Sequence, residues 1–395
     1  MDATPRDTPA DSTNGDVAIG LYDVGKTYPD GTTAVEELTL EVPTGELAVL
    51  VGPSGCGKST TLRMVNRLIE PSSGRIVLEG EDVTGVDPVQ LRRRVGYVIQ
   101  QSGLFPHQNV AANVATVPHL LGWDKKKTND RVNELLDLVG LEPDTFAKRY
   151  PHQLSGGQKQ RVGVARALAA DPPLLLMDEP FGAVDPIARA RLQQEFLRLQ
   201  DEVRKTILFV THDIEEAVHM GDRIAVFSQG GKIEQYADPA TLLGEPASDF
   251  VADFVGADRG LKRLAVTEID LEDLEKPPVV HIDDDLATAR TAMQSAAARW
   301  AVVLDNGENL HGWISLEHTA DGSGSVFDKA QRMEAWVPVD ADLKNAFSVM
   351  LQHNAGWVAV LDGSRFLGVL TPESLHSALR RSVEHGQVPE TAGAV

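Results

Sequence analysis

One cysteine, Cys56, stands among 395 residues. No disulfide can form within such a chain, so a fold that relies on covalent staples is excluded, and the usage fits a reducing compartment. Long apolar runs are missing too. No stretch approaches the roughly 18 consecutive apolar residues of a membrane-crossing helix, so work at a membrane requires a partner. Basic residues are outnumbered, 37 against 58 acidic, for a net charge of −21. That balance argues against nucleic acid as a partner, because such binders gain affinity by neutralising phosphates.

What is present is enough apolar residue, 42%, for two or three packed domains. Residues 1–16 are polar and acidic, unlike a signal peptide, and bury too little to offset ordering entropy; they and residues 384–395 are expected to be disordered tails. Residues 17–256 alternate apolar runs with helical patterns. Leu47–Val51, Leu174–Met177 and Ile207–Val210 read as buried parallel strands, which makes this an α/β domain. Residues 257–264 are taken as a linker. Beyond it lies an internal repeat: Asp285-Leu286, Ala289, Met293, Trp300 and Val303-Leu304-Asp305 recur as Asp342-Leu343, Ala346, Met350, Trp357 and Val360-Leu361-Asp362. One residue is then lost, so Gly312 matches Gly368. The copies span 265–325 and 330–381, and each reads as strand, helix, strand, turn, strand.

Gly52-Pro53-Ser54-Gly55-Cys56-Gly57-Lys58-Ser59 has the spacing of a phosphate-binding loop, directly after a strand and opening a helix that runs from Thr60. Glycines let backbone N–H groups turn around phosphate oxygens, the helix N-terminus adds positive potential, Lys58 reaches the outer phosphates of ATP, and Ser59 is placed to hold Mg²⁺. The strand at Leu174–Met177 delivers Asp178 and Glu179 at its carboxyl end, where ligands of open α/β sheets bind. Asp178 suits the metal and Glu179 the attacking water. Leu154-Ser155-Gly156-Gly157-Gln158 supplies a second serine-and-glycine turn opening a helix, about twenty residues before those acids. One chain does not need two phosphate cradles.

Together these motifs resemble the ATP-binding-cassette ATPases over residues 17–256. In that family the Leu-Ser-Gly-Gly-Gln of one subunit closes over the γ-phosphate held by the loop of the other. The resemblance implies a RecA-like core with antiparallel β and helical subdomains, and a homodimer with two ATP molecules sandwiched head to tail. By the same resemblance Gln100, rather than its neighbour Gln101, is the glutamine contacting Mg²⁺ and water. Ala183-Val184-Asp185 is the turn facing the partner, His212 the switch histidine, and Tyr28 the aromatic stacked on adenine. Lys58, Glu179, His212 and Gln100 then form the catalytic set, with Ser59, Gln100 and Asp178 at the metal and Thr60 completing the phosphate loop.

One cassette, without a second phosphate loop, basic arm or long coiled-coil insertion, favours a transporter motor over translation or repair. The segments Tyr97–His107 and Met177–Pro186, with the repeat, are similar to bacterial importers of quaternary ammonium osmoprotectants, whose cargo includes glycine betaine, choline, carnitine and proline betaine. This implies two membrane-spanning permease subunits, a separate substrate-binding protein and a place at the cytoplasmic face of the membrane. Leu104-Phe105-Pro106 is then expected at the groove for a permease helix. Ergothioneine or another betaine-like cargo is the alternative, as is a non-transport regulatory switch.

The repeat resembles a tandem CBS pair, which in related importers implies gating by ionic strength or a regulatory ligand. It departs from the nucleotide-binding pattern: His318 and Ser374 stand where an Asp holds ribose, three residues after Ser315 and Thr371. Trp300 and Trp357 read as repeated packing at a strand start, with an aromatic cage as the other reading. Cys56, inside the phosphate loop, is expected to let a bulky thiol reagent block ATP binding.

Overall fold

The computed structural model describes residues 17–99, 103–182, 184–320 and 324–384. The tails 1–16 and 385–395, with Gln100, Gln101 and Ala183, lie outside the described residues. The chain divides into two units: one runs up to Leu242 and includes Pro246–Val255, the other takes Leu243–Glu245 and everything from Gly256.

Two sheets build the first unit. Strands β1 (Val17–Thr27), β2 (Thr33–Pro43), β4 (Ser73–Leu78) and β5 (Glu81–Asp82) form an antiparallel sheet in the order β2-β1-β4-β5. The larger sheet holds β3 (Leu47–Val51), β6 (Val95–Val98), β7 (Leu174–Asp178), β8 (Thr206–Val210), β9 (Arg223–Phe227) and β10 (Ile233–Ala237) in the order β10-β9-β3-β8-β7-β6. Its pairs are parallel except β9 with β10. Every residue of β3, β7 and β8 is buried, as expected of central parallel strands covered on both faces and read as unbroken apolar runs. The order places β8 between β3 and β7, so the loops after all three converge at one sheet edge. Five α-helices between Val110 and Leu168, the longest being Lys125–Leu138 and Gly156–Leu168, make the helical subdomain.

The second unit repeats one pattern. Strand β11 (Val279–His281) pairs parallel with β12 (Trp300–Leu304), which pairs antiparallel with β13 (Leu310–Ser315); β14 (Trp336–Pro338), β15 (Val358–Asp362) and β16 (Arg365–Leu370) do the same. The intervening helices, Leu286–Ser295 and Leu343–Gln352, start at Asp285 and Asp342, whose carboxylates accept the N–H of Thr288 and Asn345. Equivalent apolar residues of each copy fill separate cores. The copies exchange edge segments: Glu275, ahead of β11, bridges Val369 of β16, while Gln331, ahead of β14, bridges Trp313 of β13. That exchange explains the matched glycines. A Cβ on Gly312 would lie 2.1 Å from the Gln331 carbonyl oxygen, and one on Gly368 would lie 2.8 Å from the Leu274 Cβ.

The linker reading of 257–264 requires correction. Arg259–Leu264 is a helix of the second unit; Leu264 is buried in its core and the Arg263 guanidinium donates to the Leu379 carbonyl. The segment looked like a linker because a six-residue helix buries only one of its side chains.

Trp300 and Trp357 stack on each other with ring centroids 4.1 Å apart and planes within 6°. Each ring covers a face of the other, which supports the packing reading over a cage. Gly312→Ala is expected to destabilise the second unit by about 1–3 kcal/mol through overpacking, whereas Gly356→Ala, which meets nothing within 4 Å, should be close to neutral. Tryptophan-detected denaturation of both variants is the check, and equal midpoints would refute the steric account.

Candidate functional site

The phosphate loop leaves β3 and enters the helix Lys58–Val65. Its backbone is held against β2: Gly57 has φ 105°, and a Cβ there would lie 2.6 Å from the Ala34 carbonyl oxygen, so only glycine fits. Lys58 is 6% exposed, and its ammonium donates to the Gly52 and Pro53 carbonyls at 2.7 and 3.0 Å. The Lys58 charge therefore sits inside the loop that it closes. Ser59 donates its hydroxyl to Asp178 Oδ1 at 3.0 Å, which joins the loop after β3 to the end of β7.

Asp178 is 5% exposed. Burial raises its pKa above the ordinary carboxylate value, against the opposing effects of the Ser59 hydroxyl, Arg63 and Lys58. An oxygen-rich corner made of a hydroxyl and a buried carboxylate fits a hard divalent cation such as Mg²⁺. The next residue, Glu179, adopts φ 44°, its N–H bonded to the Val210 carbonyl at 2.9 Å. A left-handed backbone at a non-glycine residue costs roughly 1–2 kcal/mol and here turns the carboxylate off the strand line. Glu179 Oε1 lies 3.3 Å from His212 Nδ1, and His212 follows β8 by two residues. Ser54, Gly55, Cys56, Gly57, Lys58, Ser59, Thr60, Glu179 and His212 line one cleft of about 280 Å³, together with Ala34. Tyr28 is absent from that lining; it sits in the turn after β1 with Lys26 Nζ 5.4 Å from its ring centroid.

The second turn lies elsewhere. Ser155 caps the helix Gly156–Leu168 in a reciprocal box: its hydroxyl accepts the Gln158 N–H at 3.3 Å, and the Gln158 side chain accepts the Ser155 N–H at 3.0 Å. Ser155, Gly156, Gly157 and Gln158 share a cleft of about 710 Å³ with Asp185, Val184 and Ile187. No residue lines both clefts.

The Cys56 expectation needs qualification. Its thiol is fully buried in the core of the first unit, 3.5 Å from Lys58 Nζ, so it faces away from solvent although its backbone lines the cleft. A reagent would have to open the loop to reach it. Gln100 lies outside the described residues.

Three residues escaped the sequence reading. Asn113, fully buried, donates to the carbonyls of Phe105, Gln108 and Asn109 and accepts the Phe105 N–H at 2.7 Å, so one carboxamide folds the loop that presents Phe105, 40% exposed. Arg189 donates to the Val184 carbonyl at 3.1 Å. Glu216, buried on the helix that follows His212, accepts a hydrogen bond from Gln193 at 2.8 Å, and burial raises its pKa. Their side-chain types are ordinary for helices; only the partners mark them.

Strand, phosphate loop, helix, paired acids and signature turn define the class: an ATP-binding cassette. Comparisons agree. The ABC transporter family model matches residues 35–182 and the CBS domain model residues 332–381. The osmoprotectant import ATP-binding protein OsmV of Salmonella typhimurium is 46% identical, with 83% of this chain and 86% of that protein aligned. The glycine betaine/carnitine/choline transport ATP-binding protein OpuCA of Bacillus subtilis is 43% identical over 90% of this chain and 95% of its own. A dimeric ATP-binding cassette in a post-hydrolysis state bound to ADP and Pi superposes with a TM-score of 0.51 at 34% identity, covering 56% of this chain and 98% of that one. The chain belongs to the ATP-binding, ATP-hydrolysing subunits of ABC transporters, in the group that carries a CBS domain after the cassette.

The buried Asp178 carboxylate opposes folding when nothing neutralises it. With its folded-state pKa above the unfolded value, the native state holds the proton more tightly, so its contribution to stability falls as pH rises from 3.8 through the raised pKa. Asp178→Asn, which keeps an acceptor for Ser59, should melt at a higher temperature than the original chain at neutral pH without nucleotide, with the gap closing in acid. Calorimetry across pH tests this, and a lower melting temperature for the variant would contradict it.

Proposed function

We propose that this chain is the motor of an importer for quaternary ammonium osmoprotectants such as glycine betaine, carnitine and choline, working as a homodimer on two membrane-spanning permease subunits fed by a separate binding protein. The observation that carries the dimer is the separation of the two clefts. The phosphate loop and the Ser155–Gln158 turn each offer half of a phosphate site, and no residue lines both. A twofold axis lets each turn cover the loop of the other copy. The cargo class is supported by what the relatives' names say they carry. No helix among the described residues is long and apolar enough to cross a membrane, and exposed Phe105 on its Asn113-organised loop offers an apolar contact to a permease at the cytoplasmic face.

In this reading Lys58 and the loop N–H groups hold the phosphates, and Ser59 and Asp178 hold Mg²⁺, which supplies charge neutralisation at the phosphates. Tyr28 stacks on adenine and Gln100 completes the metal shell. Glu179 orients the attacking water, its carboxylate fixed by the left-handed turn and by His212. Ser155, Gly156, Gly157 and Gln158 of one subunit, with its Asp185, close over the partner's nucleotide. Both repeat copies form the CBS pair that gates the motor. Ser374, at the position where a ribose-holding Asp would stand, already bonds Thr371 through its hydroxyl and its N–H, which favours ionic strength over a mononucleotide as the input.

Glu179→Gln should lower hydrolysis by about 100-fold or more while retaining ATP binding, and accumulate an ATP-dependent dimer visible by light scattering. Unchanged turnover would remove Glu179 from its role. For the cargo, the subunit reconstituted with its permeases should hydrolyse ATP faster when binding protein loaded with glycine betaine is added. Basal hydrolysis without that stimulation would point instead to ergothioneine or another cargo.

A further inference from the structure

The turn bearing Asp185 and the turn bearing His212 belong to different clefts, yet the helices that follow them are tied together. Helix Pro186–Val203 starts after Asp185, and helix Ile214–Met220 starts after Asp213. Arg189 and Gln193, one turn apart on the first helix, reach Asp213 and Glu216 on the second. Gln193 Nε2 donates to Glu216 Oε1 at 2.8 Å, with the two residues 8% and 7% exposed. Arg189 Nη2 donates to the Val184 carbonyl at 3.1 Å, and its Nη1 lies 3.9 Å from Asp213 Oδ2. Asp213 accepts the N–H of Glu215 and Glu216, and its own N–H bonds Thr211 Oγ1 at 3.1 Å. The bonds flank His212 on both sides.

A buried amide has few alternative partners, and Glu216 is held from the His212 side as well, by a side-chain hydrogen bond with Thr211, so separating the pair would leave the Gln193 amide unsatisfied. The link is therefore stiff. Arg189 adds a second attachment on the turn itself, at the carbonyl immediately before Asp185. A shift of His212 towards or away from Glu179 must carry the Asp185 turn with it, or break these bonds.

We propose that Arg189 and Gln193 are positioning residues that make the Asp185 turn and His212 one rigid body, so that the state of a subunit's own cleft is passed to its partner's. This rests on the dimeric reading above, in which the Asp185 turn of one subunit faces the nucleotide of the other. Neither residue lines either cleft; each acts through the position of a turn. With the link intact, the two clefts of a dimer hydrolyse cooperatively. Without it, each cleft still binds ATP and the dimer still closes, but the clefts act independently.

The test uses the full-length chain with Arg189→Ala, Arg189→Lys and Gln193→Ala. Arg189 is partly exposed, so its variants keep the measurement available should Gln193→Ala fold poorly. The original chain is expected to hydrolyse ATP with a Hill coefficient near 2, the limit for two sites, and Arg189→Ala with one near 1. Arg189→Lys, whose ammonium can still reach the Val184 carbonyl, should recover part of the cooperativity. In a Glu179→Gln background the alanine variants should bind ATP within about twofold of the original affinity and still dimerise. A Hill coefficient unchanged in Arg189→Ala and Gln193→Ala, whatever happens to the rate, would overturn the proposal, because a merely structural role lowers the rate alone. If Glu179→Gln by itself forms no ATP-dependent dimer, the dimeric reading has failed first, and the link loses its premise.

Discussion

The 3.0 Å hydrogen bond from Ser59 to Asp178 joins two strands that are not neighbours. β3 and β7 are separated by β8 in the sheet order, so the bond spans the central strand and holds the phosphate loop over the acids. It ties the phosphate loop to the acid-bearing strand end at the cleft that Lys58, Ser59 and Glu179 line. A carboxylate buried to this degree opposes folding unless a positive charge compensates it, and here the pKa is raised by that burial. Stability is given up at the point where chemistry needs concentrated negative charge. The same holds one residue later, where Glu179 takes a left-handed backbone conformation.

Around that corner the protein is economical with connections. His212 approaches Glu179 from the end of β8, and the helix after it is fastened to the helix after Asp185. The phosphate-loop cleft and the Ser155–Gln158 cleft therefore share no residue, while the helices behind them are hydrogen-bonded to each other. In a cassette dimer this distinction matters, because closing one half-site against the partner is useful only if the other half-site can respond.

The second unit uses a different device. Its two copies are joined by exchanged edge segments, at Glu275 with Val369 and at Gln331 with Trp313, and by the stacked pair Trp300 and Trp357. Each copy alone presents an unpaired sheet edge and half of an aromatic contact. Two copies complete both. The exchanged segment also brings the Glu275 carboxylate to the Thr371 hydroxyl, which donates to it.

Some of this was legible in the residue order. The phosphate loop, the paired acids and the capped signature turn are local: glycine, lysine and serine at fixed spacing enforce a backbone shape over a few residues, so the spacing alone announces it. The apolar runs at Leu47–Val51 and Leu174–Met177 signalled central strands, and the repeat was visible because equivalent core positions keep equivalent residues. The tertiary structure decided what depends on partners distant in sequence. It turned residues 259–264 from a linker into a helix, buried the Cys56 thiol, set Asn113 to folding the Phe105 loop, and matched Arg189 and Gln193 with Asp213 and Glu216. Polar side chains on helices are compatible with solvent or with burial, and sequence spacing carries no information on which of the two the fold imposes. That choice is made only when strands more than a hundred residues apart, such as β3 and β7, come to lie in one sheet.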